Sequence, residues 1–128
     1  MDINILKNNG IDVSKGIEIL GDIDTYNDIL KEFADNFQER LSKIEEYKNN
    51  SDMENYAIEV HAMKGDSKYL GFTKLAELAL NHQLKSQDGD IEYINNNYSE
   101  LIKEANRIYK VINEYLNSWC QVHVKNIN

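Results

Sequence analysis

Apolar residues recur every three or four positions along most of the chain, which is the spacing that keeps side chains on one face of an α-helix. The clearest run lies near the C-terminus, where steps of three and four alternate without a slip at Ile91, Ile94, Tyr98, Leu101, Ala105, Ile108, Ile112, Tyr115 and Trp119. The pattern predicts a long amphipathic helix, with Tyr98, Tyr109, Tyr115 and Trp119 packing in and around its core face.

Similar spacing predicts three more long helices, at about 24–48, 52–70 and 74–86, and a short helix at about 12–20. The helix at 52–70 has the same regularity, with steps of 3, 4, 3, 4 and 3 from Met53 to Leu70. Short polar residues before the helices are typical N-caps, and we expect this role for Asp12 or Ser14, Asp24 or Thr25, and Thr73.

The 128 residues suit one domain, and the absence of proline with only six glycines favours helices over sheets and long loops. Four long helices joined by short turns predict an all-α fold, an antiparallel up-down-up-down four-helix bundle with a short extra N-terminal helix. We expect a single domain over 1–128, with the bundle at about 24–119, the short helix at about 12–20 and a C-terminal tail at 120–128.

Charge and composition exclude several classes of function. Lys and Arg total 14 and Asp and Glu total 22, a net charge of −8 that argues against binding to nucleic acid or an anionic membrane. No apolar run could span a membrane, and the start MDINILKNNG lacks the features of a signal peptide, so we expect a cytoplasmic monomer. The single cysteine, Cys120, excludes an internal disulfide and a cysteine-based zinc site, and we expect it to be inert.

Candidate chemistry lies on the outer face of the 52–70 helix, where His61, Lys64, Gly65 and Lys68 form one outward strip. A glycine inside a helix costs about 0.5–1 kcal/mol relative to alanine, so an outward one suggests that something approaches the helix closely there. A neutral histidine can act as a nucleophile, and a lysine one turn on can offset the charge of a phosphoryl group. This combination suits a surface histidine that carries a phosphoryl group between proteins, although Lys68 reads more simply as a solvated charge.

The segment VHAMKGDSKYLGF resembles the H-x-x-K-G-x-x-x-x-x-G signature of histidine-containing phosphotransfer (HPt) domains, which it fits at His61, Lys64, Gly65 and Gly71. The resemblance covers roughly 10–90. It implies a phosphorelay intermediate of two-component signalling, with His61 phosphorylated, Lys64 stabilising charge, Gly65 giving access and Lys68 as possible support. The implied partners are receiver domains of response regulators or hybrid histidine kinases.

The resemblance also implies that the chain needs no cofactor or metal, because the magnesium ion and the acceptor aspartate belong to the receiver. We expect Val13, Ile17 and Ala57 to contribute an apolar docking patch beside His61. Two departures from the family pattern affect partner choice. Asp66 stands where a small residue is usual, and His82-Gln83 replaces a frequent Leu-Glu pair.

Two alternatives remain open at this point. The segment GFTKLAELA is similar to the phosphotransfer domain of chemotaxis histidine kinases, and a helical interaction module without phosphoryl chemistry would also show an exposed strip. No nucleotide-binding loop is present, so self-phosphorylation from ATP is not expected. The start at Met1 and the absence of a kinase domain favour a stand-alone protein.

His82 lies close to the apolar stripe of its helix, and we expect it to be a partly buried, hydrogen-bonded histidine. A metal site built from His61, His82 and nearby acids is disfavoured, because the Glu-x-x-His pairs of di-iron bundles do not occur.

Overall fold

The computed structural model of the chain describes the backbone of residues 2–127 and the side chains of residues 2–118. These residues form six α-helices and no strand, which confirms the all-α prediction. The helices are α1 (Ile3–Lys7), α2 (Val13–Leu20), α3 (Ile23–Asn49), α4 (Met53–Leu70), α5 (Thr73–Gln87) and α6 (Ile91–Ile127). The predictions for the Trp119 and Cys120 side chains lie outside the described side chains, whereas the backbone of 120–127, predicted to be a tail, continues α6.

The prediction of one extra N-terminal helix is wrong, because two short helices, α1 and α2, precede α3. The five residues of α1 are too few to show a periodic apolar face, and the helix packs against α6 instead of standing alone. Its carboxyl-terminal turn is held by Arg107, which donates to the Asn9 carbonyl at 3.0 Å and to both carboxylate oxygens of the buried Glu104.

Aspartate side chains begin most of these helices. The first free N–H groups of α1, α2, α3 and α4 are bound by carboxylates of Asp2, Asp12, Asp22 and Asp52. Such caps contribute about 0.5–2 kcal/mol each. The predicted caps Asp24 and Thr25 are therefore wrong for α3. Thr73 is the first residue of α5 and does not cap it, and α5 has no side-chain cap at all.

The core lies among α3, α4, α5 and α6. Each of these helices packs against the next in the chain, and α6 also packs against α3. The stripe predicted for α6 is buried from Ile94 to Tyr115 except at Tyr98, which is partly buried, and Ile91 is exposed at the first turn. Aromatic rings tie α3 to α6, since Phe37 and Tyr109 stack with centroids 4.3 Å apart. None of the helices in the described residues has the length and apolar character needed to cross a membrane.

Helix α2 packs across the junction of α3 and α4 through two glycines. A Cβ on Gly16 would lie 2.5 Å from the ring of Tyr26, so a side chain would separate the two helices. The Tyr26 hydroxyl in turn donates to the Leu70 carbonyl at 2.8 Å. Gly71 ends α4 with a φ of 83°, and a Cβ there would overlap the backbone of Asp12, whose N–H donates to the Gly71 carbonyl. The last glycine of the sequence motif is thus a structural residue.

His82 is buried, which confirms the sequence prediction. Its side chain is 1% exposed, and its Nδ1 lies 2.8 Å from the Tyr56 hydroxyl of α4. The edge of the imidazole ring meets the ring of Tyr93 on α6 with a centroid distance of 5.7 Å. Burial lowers the pKa of His82, so the ring stays neutral and its Nδ1 can accept a hydrogen bond from the Tyr56 hydroxyl.

We expect the two glycines of the motif to respond in opposite ways to alanine. Gly71→Ala should destabilise the chain, because a left-handed non-glycine residue costs roughly 1–2 kcal/mol and the overlap with Asp12 would also displace α2. Gly65→Ala is the matched control, since a Cβ there meets no atom within 4 Å, and it should add about 0.5–1 kcal/mol. Urea unfolding of both variants measures the difference, and equal effects would contradict this account.

We expect acid to weaken the fold through His82. Its pKa is lowered in the folded state, so the stability it contributes is present above about pH 6.5 and is lost as the pH falls through the folded-state value. Melting temperatures measured from pH 7.5 down to about pH 5.5 should fall in the wild type and in His61→Gln. The slope should flatten in His82→Gln, and an unchanged slope in that variant would count against His82 as the cause.

Candidate functional site

His61 lies near the middle of α4 and faces solvent, as the heptad pattern predicts. The inward positions of the same helix explain this orientation, because Tyr56, Val60 and Met63 are fully buried around it. His61 therefore lies on the surface at the seam where α4 packs against α5. This position makes the imidazole ring accessible to another protein.

One polar contact orients the His61 ring. Its Nδ1 lies 3.1 Å from Oε1 of Gln83 on α5. An amide oxygen can only accept a hydrogen bond, so Nδ1 carries the proton and a neutral ring keeps its free electron pair on Nε2. Sequence reasoning noted Gln83 only as a departure from the family pattern. Its role depends on the register between α4 and α5, which no single-helix pattern contains.

The surface beside the ring is open at Gly65, one turn after His61. A Cβ on Gly65 would meet nothing within 4 Å. Gly65 therefore does not relieve crowding against a neighbouring helix. Lys64 is half-buried next to it and Lys68 is exposed. The predicted strip of imidazole, two cations and a glycine is present on one side of α4.

Asp66 is paired with a cation on the other flank of α4. Its carboxylate accepts from Arg40 of α3 at 2.8 Å, and Glu59 lies 3.8 Å from the same guanidinium. Asp66 is five positions after His61, which places it well around the helix from the imidazole. Arg40 thus offsets the negative charge of the Asp66 carboxylate.

Two grooves follow the α4–α5 seam on either side of His61. The first, here the Ile58 groove, has a volume of about 760 Å³ and is lined by Met53, Glu54, Ala57, Ile58, His61, Gln83, Ser86, Gln87 and Gly89. The second, here the lysine groove, has a volume of about 350 Å³ and is lined by Lys15, Lys64, Ser67, Lys68, Gly71, Thr73, Ala76, Glu77 and Leu80. His61 and Gln83 lie at the inner end of the Ile58 groove, towards the lysine groove.

The predicted docking patch differs from the surface that the structure offers. Val13 is 1% exposed and belongs to the core, so it cannot present its side chain to a partner. Ile17 packs partly against the core, and Ala57 is buried but lines the Ile58 groove. Ile58 is the exposed apolar residue beside His61, at 60%. Its outward heptad position, equivalent to that of Gly65, was a sequence signal that could have identified it.

The metal site considered from sequence is not formed by the described residues. His82 is buried and contacts Tyr56, whereas His61 is on the surface. Residues 2–118 contain no group of three His, Cys, Asp or Glu side chains that could hold a metal ion.

Comparison with known proteins identifies the family. Neither the curated proteins nor the solved structures gave a significant match to this sequence. The family model of the Hpt domain matches residues 28–108, which is more than half of the chain and includes His61, Gln83 and both motif glycines. The chain therefore belongs to the Hpt domain family, whose members carry out histidine phosphotransfer in two-component signalling.

Proposed function

We propose that the protein is a phosphorelay intermediate, in which His61 takes a phosphoryl group from an aspartyl phosphate of one receiver domain and gives it to an aspartate of another. The observation that carries this proposal is the state of His61, an exposed imidazole whose Nδ1 is bound by Gln83 and whose neighbouring surface is open at Gly65. Membership of the Hpt domain family supports the class of reaction.

No proton is transferred in this reaction. The Nε2 electron pair attacks the phosphorus atom, the bond from phosphorus to the aspartate oxygen breaks, and the carboxylate leaves on the donor receiver. The ring then carries a positive charge, and Nδ1 keeps the proton that it donates to Gln83. In the second step an aspartate of the acceptor receiver attacks phosphorus, and Nε2 leaves with its electron pair. Gln83 thus keeps one nitrogen protonated and the other reactive in both directions.

Lys64 is proposed to offset the charge of the phosphoryl group, because it lies one turn from His61 on the same face. Lys68 is a further turn away and supports this role at most indirectly. The magnesium ion and the aspartates of the reaction belong to the receiver, so the chain itself supplies a positioned nucleophile, a cation and an open approach. The expectations of a cytoplasmic location and a monomeric state stay predictions from the sequence.

The scaffold that presents His61 is proposed to be an antiparallel up-down-up-down four-helix bundle of α3, α4, α5 and α6. Two observations support it. The connections are short, at 50–52, 71–72 and 88–90, and connections of this length favour antiparallel neighbours. The contacts among the four helices also form a closed set, since α6 packs against α3.

We expect His61→Gln to abolish labelling by a phosphorylated receiver domain. The side chain is exposed, so the far-ultraviolet circular dichroism and melting temperature should stay those of the wild type. Labelling from a receiver that carries radioactive phosphate, followed by acid treatment of the product, gives the measurement. Acid-labile phosphate that persists on the variant would refute His61 as the carrier. A wild type that binds receivers without becoming labelled would instead identify an interaction module.

We expect Gly65→Gln to slow phosphoryl transfer by blocking the receiver's approach to His61, without lowering the stability of the fold. The long side chain would fill the open surface beside His61, so transfer should slow by about tenfold or more, equivalent to roughly 1.4 kcal/mol in activation free energy. Helix propensity should leave the melting temperature equal or higher. Gly65→Ala is the control, because its single added carbon should leave most of the transfer rate. A Gly65→Gln variant that transfers at the wild-type rate would end the access hypothesis.

A further inference from the structure

We propose that the lysine groove binds the acidic rim of a docking receiver and so sets the orientation in which the receiver lies on the α4–α5 seam. Lys15 and Lys68 are the specificity-determining residues of this surface, alongside Lys64. The inference rests on the proposed function, because it assigns a docking direction to the partner that exchanges phosphate with His61.

The first observation is an unbalanced concentration of cations. Lys15 of α2 and Lys64 and Lys68 of α4 line one groove, although the chain as a whole has a net charge of −8. Among the described residues, none of the three has a carboxylate oxygen within 4.0 Å, in contrast to Arg40, Lys43 and Arg107. Glu77 is the one acid among the nine residues that line this groove. Three unpaired cations in a shared groove attract an anionic surface.

The second observation is the position of this groove relative to the nucleophile. Lys64 is three positions after His61 on α4, and Leu80 of the same groove is three positions before Gln83 on α5. The lysine groove therefore begins one helical turn from the His61–Gln83 contact. A partner that places an aspartate over His61 must also cover this groove.

The third observation is that the two ends of the seam differ in charge. The Ile58 groove is lined by no lysine or arginine, contains the acid Glu54 and exposes the apolar side chain of Ile58. A receiver placed the other way round would put its acidic rim on a surface without a cation, beside the carboxylate of Glu54. The difference between the two ends therefore favours one orientation over its reverse.

The fourth observation is that Lys15 is held in place by the fold. Its backbone N–H donates to the Asp12 carboxylate at 3.1 Å, and the Asp12 N–H donates to the Gly71 carbonyl at 2.9 Å. Gly16 lies directly against Tyr26. The backbone that carries Lys15 is thus anchored beside the end of α4, so little of the chain must be ordered when a partner binds.

The chemistry of a receiver supplies the complementary charge. A site that holds a magnesium ion and a phosphate-accepting aspartate is built from carboxylates, because hard cations prefer oxygen ligands. Its rim is therefore acidic. Attraction between such a rim and exposed lysines acts mainly on the rate of encounter and on orientation, and it weakens as salt screens the charges.

The test compares charge reversal in the groove with charge reversal elsewhere. The variants are Lys15→Glu, Lys68→Glu and the double variant, with Lys110→Glu as the matched control. Lys110 is exposed on α6, which packs against α1, α3 and α5. The probe is a receiver domain carrying radioactive phosphate, chosen because it labels the wild type. Initial transfer rates are measured against receiver concentration at about 50 mM and about 300 mM NaCl, where screening differs strongly.

We expect Lys15→Glu and Lys68→Glu to raise KM about fivefold each at low salt, with kcat unchanged in Lys15→Glu, and Lys110→Glu to change KM less than twofold. The KM of the wild type should rise with salt, and that of the double variant should rise less. If the KM values of the groove variants equal that of Lys110→Glu at both salt concentrations, the proposed docking direction is overturned. The proposed phosphorelay function would not be affected by that result. A wild type that no receiver labels would overturn the proposed function, and this inference with it.

Discussion

The backbone contact between Gly71 and Asp12 is the constraint on which the arrangement of the site depends. Gly71 ends α4 in a left-handed conformation, α5 begins two residues later, and the amide of Asp12 binds the Gly71 carbonyl. A side chain on Gly71 would overlap the Asp12 backbone. One residue thus determines how α4 turns into α5 and how the start of α2 lies against the end of α4. The seam that carries His61 and the position of Lys15 follow from it.

The two histidines at this seam, His61 and His82, differ in burial and in hydrogen-bond partner. His82 points inward to Tyr56, and burial lowers its pKa so that it stays neutral and acts as a hydrogen-bonded part of the core. Gln83, the next residue, faces outward and reaches the Nδ1 of His61. The buried contact sets the register of α5 on α4, and this register brings an amide oxygen to the imidazole. The packing of the core therefore determines which nitrogen of the neutral His61 ring carries the free electron pair.

Charge is separated on the two flanks of α4. On the α3 side, Arg40 pairs with Asp66 and lies near Glu59, so the carboxylate that departs from the family pattern has a cationic partner on the flank away from His61. On the α5 side, Lys64 and Lys68 have no such partner among the described residues, and Lys15 joins them from α2. The helix thereby presents a net positive surface beside His61 within an acidic protein. In the proposed relay, that local field, and not the overall charge of −8, would meet an approaching receiver.

The sequence by itself determined the features that depend on the hydrophobic period of a single helix or on the residue types of a short segment. Five of the six helices, the outward strip at His61, the inward position of His82 and the family motif could all be predicted from spacing and residue type. Helix α1 could not, because five residues show no period. Only tertiary structure decided that Val13 is buried, that Gln83 binds His61 and that Lys15 joins the lysines of α4. These three facts depend on how one helix is placed against another, and side chains distant in sequence decide that placement by packing together.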